Sequence, residues 1–237
     1  MGEFVVAHEV AHQYFAGLVG ADCRAHPAVD EPLAQFAAGE YMASVHGRAE
    51  GRRILDLNAR ANYGIYRMLG GADLPASWPV RRYPTALAYA AMVYGKAPYF
   101  YVSLREKMGA AAFDRALAKA VAAQRFRLVT LDGWVKALAK GAGPRGKMVR
   151  RLARRHLYGR HGDADLKVDA SGDAVLALLL GKDMLRQIKQ GMAMLGTSPK
   201  ALFRMLLGKL GQAKGGAGGG SPGDLKRTLD QLRGGGR

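Results

Sequence analysis

The stretch FVVAHEVAHQYFAGL, beginning at Phe4, places His8 and His12 four residues apart inside an apolar run, with Glu9 between them. Phe4, Val5, Val6, Ala7, Val10, Ala11, Tyr14, Phe15 and Leu18 give the periodicity of a mostly buried helix. Residues four apart share one helical face, roughly 5–6 Å apart at Cβ. The two imidazoles therefore converge on one point, and Glu9 lies beside it. Convergent imidazoles suit Zn²⁺, and a neighbouring carboxylate can take a proton from a water that the metal activates. The competing reading is two satisfied core histidines beside an incidental glutamate. A third ligand decides between them, because catalytic zinc usually has three protein ligands and one open position.

The segment VDEPLAQFAAGEYMA, from Val29, reads as a second amphipathic helix with Asp30 as its N-cap. Glu31 falls in its first turn, with eighteen residues between it and His12. Pro32 is tolerated there. The motif His8-Glu9-Val10-Ala11-His12, the gap and Glu31 within DEPLAQF together resemble the gluzincin metallopeptidases of the aminopeptidase N type. The resemblance implies that His8, His12 and Glu31 bind one Zn²⁺ per chain and that Glu9 is the general base. VYGKAPYF, from Val93, resembles that family's Tyr-x-Lys-Gly segment, with Ala97 in place of the glycine. The resemblance therefore implies that Tyr94 donates to the oxyanion of the tetrahedral intermediate, and it matches Lys96 to the lysine. It covers residues 1 to about 167. It further implies an all-α chain, the thermolysin-like C-terminal helical half of a gluzincin catalytic domain, acting on peptides from their N-termini.

Members of that family carry a β-rich region before the zinc helix, with a strand that pairs with substrate and anchors its amine. Here His8 follows Met1 almost at once. The expectation is a chain that binds zinc, holds substrate loosely, and leaves its zinc helix more exposed than its apolar sequence favours. The alternative from another class is a non-catalytic, zinc-stabilised helical module that binds an acidic partner.

The net charge is +17, unevenly spread: residues 1–144 carry +5 and residues 145–237 carry +12. The excess peaks at RGKMVRRLARRH, from Arg145. Such a run suggests nucleic acid or an anionic surface as partner for residues 145–160, against the alternative of a solvated helix face with snorkelling stems. No apolar run reaches the ~18 residues of a membrane span, and Met1–Val6 lacks the features of a signal peptide; the relatives are often exported or membrane-attached. Cys23 is the one cysteine, so an intrachain disulfide is excluded. It reads as a small loop residue between the ligand helices. His26, in the loop between the ligands, either faces the cleft or is a surface loop histidine, and His46, His156 and His161 sit in polar contexts with no partner at ligand spacing. Gln35, one turn beyond Glu31, either orients a ligand or is an ordinary surface glutamine.

The patterning further predicts one helix over residues 48–69, stopped by Gly70-Gly71. A proline-bearing loop ADLPASWPVRRYPT follows. A helix then runs from Thr85, broken near Gly95 and Pro98, where Tyr94 must sit. Further helices are expected over 110–124 and 132–140, the latter capped by Thr130 or Asp132. GAGPRG at Gly141 reads as a hinge, dividing a catalytic subdomain (1–144) from a basic helical tail (145–237). The tail is expected to hold a basic helix ending near Tyr158 and two short Leu- and Met-rich helices from Ser171. A Gly-rich linker near 214–223 and a lone short helix, LKRTLDQL, complete it.

Overall fold

Helix α1 (Gly2–Phe15) turns Phe4, His8 and Ala11 inward, a spacing of four and three residues along one face. It packs on α2 (Glu31–His46). The computed structural model to which they belong describes residues 2–168 and 172–194, and these are mainly α-helical. The apolar run of α1 is less buried than its composition predicts. Val6 is 62 % and Val10 56 % exposed, and Val5 and Tyr14 are exposed with them. The face toward α2 is the covered one.

Asp30 caps α2 as the sequence predicts, its Oδ1 accepting the Glu31 N–H at 2.8 Å. The helix expected over 48–69 is divided. It forms α3 (Arg48–Asn58) and α4 (Arg60–Met68), which meet at the fully buried Ala59. The physical reason lies in two asparagines at the joint. Asn58 donates its side-chain amide to the Ile54 carbonyl and Asn62 to the Asn58 carbonyl, both at 2.8 Å. Such side-chain bonds compete with the helical ladder for the same oxygens.

Thr85 caps the next helix, its Oγ1 accepting the Ala88 N–H at 3.0 Å. Helix α5 (Ala86–Ala90) runs into a π-helical turn (Ala91–Lys96), and α6 (Pro98–Met108) follows. The break expected near Gly95 and Pro98 thus takes the form of one widened turn. Gly95 makes it possible, because a Cβ there would lie 2.9 Å from the Tyr63 nitrogen and 3.2 Å from the Ala59 oxygen. The joint between α3 and α4 and the π turn touch backbone to backbone.

Helices α7 (Ala110–Gln124) and α8 (Leu131–Gly141) pack on each other, with Thr130 as the α8 cap. Phe36, Tyr101, Phe113 and Trp134 fill the space between α2, α6, α7 and α8, and the Trp134 indole N–H donates to the Tyr101 hydroxyl at 2.9 Å. A two-residue parallel bridge that patterning did not predict pairs β1 (Val19–Gly20) with β2 (Arg127–Leu128). The segment read as a hinge is a 3₁₀ turn (Gly143–Arg145) joining α8 to α9 (Gly146–Ala153), and those helices pack together. Val149, Leu152, Leu157 and Leu166 belong to the same core as Leu33 and Phe100, so the packing is continuous across Pro144. A second π turn (Arg154–Tyr158) ends the basic helix where expected. Then come α10 (Gly162–Leu166), α11 (Asp173–Leu180) and α12 (Lys182–Met194). The expected Gly-rich linker and terminal short helix lie outside the described residues. No helix among the described residues is long and apolar enough to cross a membrane.

Two buried polar contacts tie the later segments to the front. Lys96 is 1 % exposed. Its Nζ donates to Asp73 Oδ1 at 2.7 Å, to the Leu74 carbonyl, and to the Gly159 carbonyl at 3.1 Å. Burial pushes its pKa down, and the Asp73 carboxylate opposes that. Asp73 also accepts the Gly162 N–H at 2.8 Å. His156, read from sequence as a polar-context histidine without a partner, is buried instead, with Nδ1 3.3 Å from Asp165. Burial pushes this imidazole's pKa down against the pull of the Asp165 charge. Removing one member of a buried ion pair leaves the other charge unmet, which costs about 3–5 kcal/mol. Lys96→Met should lose about that much in denaturant unfolding, and the double variant Lys96→Met with Asp73→Asn should lose clearly less. Equal losses in the two variants would show that the pair is not what binds these segments.

Candidate metal centre

The face of α1 that carries His8 and His12 meets the first turn of α2. His8 Nε2 lies 3.2 Å from Glu31 Oε2, His12 Nε2 lies 3.4 Å from the same oxygen, and the two Nε2 atoms are 3.1 Å apart. Three donors held 2.0–2.1 Å from one tetrahedral ion would stand about 3.3 Å from each other. The observed triangle has that size. His8, His12 and Glu31 are the cluster among the described residues whose ligand atoms converge closely enough to hold a metal ion. Glu31 Oε2 is buried and forms no hydrogen bond of acceptable geometry. A buried carboxylate oxygen without a donor is costly, and a cation at the centre of the triangle would remove that cost. The residues fit a metal.

Glu31 is subject to opposed influences. Burial raises its pKa, but the polar side chains of His8, Tyr94 and His12 around it more than compensate, so it lies below its ordinary value and is held as a carboxylate. His8 Nδ1 and His12 Nδ1 are buried and donate to no group. The ring orientations therefore come from packing, with His8 and His12 edge to face at 4.7 Å between centroids. This departs from the usual case, in which the second ring nitrogen donates to a carboxylate or carbonyl. Glu9 is exposed, on the open side of α1.

Tyr94 stands over the cluster, its ring 6.1 Å from that of His8 between centroids. Burial is the main cause that raises its phenol pKa, and the charge of Glu31 adds to the shift. The hydroxyl therefore keeps its proton at neutral pH and is a donor. The π turn sets its position. Pro98 has no N–H to give the carbonyl four residues earlier, and that carbonyl belongs to Tyr94. Gln35 Nε2 meets it at 3.5 Å, the outer limit of a hydrogen bond. Gln35 is 6 % exposed, so the reading of a surface glutamine is corrected, and its partner is the Tyr94 backbone, not a ligand side chain.

The sequence reading thus brought together His8, His12, Glu31 and Tyr94, and it missed Tyr89. That ring contacts Tyr94 edge to face at 5.7 Å. Burial raises the Tyr89 pKa and the Tyr94 side chain pulls it back. Residues five apart do not share a face of an α-helix, so periodicity gave no signal. A widened turn shifts the register by one residue and brings the two together. Cys23 is an exposed, free loop cysteine outside the cluster.

Compared with models of known families, with curated proteins and with solved structures, the chain gives no match. The chemistry of the site therefore rests on its own geometry.

One metal ion should bind per chain. His8→Ala and Glu31→Ala should each lose most of it and lower the unfolding midpoint, because metal affinity appears as folding free energy. Elemental analysis of the purified variants checks this, and unchanged metal content in both would exclude the site.

Proposed function

We propose that the chain is a zinc-dependent peptide hydrolase. The observation that carries this reading is the triangle of His8, His12 and Glu31, with a buried, donorless carboxylate oxygen at one corner. Two imidazoles and one carboxylate form the ligand set of hydrolytic zinc sites that keep a fourth position open. Zinc there would supply Lewis acidity, polarising a carbonyl and lowering the pKa of a water to about 7. His8 and His12 hold it as neutral ligands and Glu31 as an anion.

The remaining roles belong to side chains of this chain. Glu9, beside His8 on the open face, accepts the proton of the attacking water and passes it to the leaving amine. Tyr94, kept protonated by its burial and by Glu31, donates to the oxygen of the scissile carbonyl as negative charge develops there. Its single O–H lies near Glu31 and can turn toward substrate by rotation. The thermolysin-like arrangement of the helices and the preference for peptide N-termini follow from the sequence resemblance alone. The exposed face of α1 supports a cleft with one wall left open, where a peptide meets the base from solvent.

Glu9→Gln should keep its metal and lose turnover of aminoacyl and peptide reporters, since an amide accepts no proton. Tyr94→Phe should keep its metal and lower kcat by about 10²–10³, the usual cost of one oxyanion donor. Metal analysis and steady-state kinetics on the same preparations separate the two effects. Zinc binding without any turnover that Glu9→Gln abolishes would favour a zinc-stabilised, non-catalytic module instead.

A further inference from the structure

From Gly133 to Gly162 the chain carries nine lysines and arginines and no acidic residue. The fold divides those cations by use. Arg145 donates to the Met108 carbonyl at 2.8 Å. Arg155 is paired with Asp165 at 2.6 Å. Lys147, Arg150, Arg151 and Arg154 are exposed, and their side chains make no ion pair or hydrogen bond with any described residue. Their spacing of three, four and seven residues puts them on one face of α9 and of the turn that continues it. The opposite face, with Val149, Leu152 and Ala153, is sealed in the core. A helix with only cations outward gains nothing for its own stability, because like charges at such spacings repel.

We propose that this stripe is a docking surface for the phosphate backbone of a nucleic-acid duplex, bound without regard to sequence. Lys147 to Arg154 spans roughly 10 Å along the helix, about three phosphate steps of 3.4 Å along one strand. Guanidinium groups suit phosphate oxygens through paired N–H donors. The face favours a duplex over a single strand because it lacks stacking platforms. Trp134 is buried, and the Tyr158 hydroxyl is bonded to Asp132. It favours a duplex over a lipid surface because no large apolar side chain of α9 is among the exposed ones, and an interfacial helix needs such a face to insert. This inference does not depend on the metal centre.

The test is fluorescence anisotropy of the full chain with a labelled mixed-sequence 20-base-pair DNA duplex, titrated over a salt series. Each phosphate contact contributes about 0.9 to the slope of log Kobs against log salt. The combined variant Lys147→Gln, Arg150→Gln, Arg151→Gln and Arg154→Gln should flatten that slope by about 3–4. Its thermal unfolding midpoint should not fall, since these side chains make no ion pair or hydrogen bond with any described residue and their mutual repulsion is removed. A control neutralising Lys107, Arg115, Lys119 and Arg127, which are exposed elsewhere, makes the same change in net charge and should flatten the slope far less. No binding at low salt, equal flattening by both variants, or an unchanged slope in the first would overturn the proposal. Tighter binding to a single strand of equal length, or to phosphatidylserine vesicles, with loss in the same variant would overturn it in favour of that partner.

Discussion

An ammonium group 1 % exposed survives in a protein core only where oxygen atoms enclose it. Lys96 finds them on two other segments: Asp73 and Leu74 after α4, and Gly159 after the second π turn. Asp73 then reaches on to the Gly162 amide. The stretch between α4 and α5, the widened turn and the segment after α9 thus meet at one nitrogen. Two residues from that nitrogen is Tyr94. The π turn is confined from two directions. Lys96 anchors its end, and Gly95 admits the backbone of α4 where any side chain would collide. A turn with looser hydrogen bonding than an α-helix therefore keeps one conformation, and the phenol it carries keeps one position.

Much of this was legible in the sequence because it depends on local rules. The i, i+4 pair His8 and His12 and the Asp30 cap are short-range facts, and the structure places Glu31 against the histidines as the family resemblance implied. Thr85 and Thr130 are likewise where cap chemistry puts them. The misreadings share a cause, which is competition from tertiary partners. Asn58 and Asn62 looked like ordinary helix residues, and their side-chain amides take ladder oxygens at the joint of α3 and α4. Gln35 was open between a ligand-orienting and a surface role, and His156 had no partner at ligand spacing; each is buried against a partner beyond the reach of helical periodicity, Tyr94 and Asp165. Tyr89 was invisible because the register shift that joins it to Tyr94 is a property of the turn and not of the residue.

The charge of the chain divides in a similar way. A run of basic residues in a sequence is a count, and the fold sorts it. Arg67 and Asp163 form a bidentate pair, with Nε and Nη2 at 2.7 and 2.6 Å from the two carboxylate oxygens, which fixes α10 against α4. The Tyr63 hydroxyl donates to the same carboxylate at 2.7 Å. With Asp163 and Asp165 committed to Arg67 and Arg155, the acids nearest the basic helix in sequence are already used. What remains outward on α9 is positive because the available anions act inside.

The two halves of the candidate chemistry share one support. Glu31 and Gln35 stand four residues apart on α2 and so on one face of it. Glu31 closes the triangle with His8 and His12, and Gln35 meets the carbonyl that Pro98 leaves without its helical donor. Any rotation of α2 would move the metal ligand and the anchor of Tyr94 together. On the proposed function, the metal ligand Glu31 and the Gln35 contact to the Tyr94 backbone would then shift together. One helix, capped by Asp30 and locked into the core by Leu33 and Phe36 on its buried side, thus touches both parts of the site, while the π turn that Lys96 and Gly95 confine sets the position of Tyr94 itself.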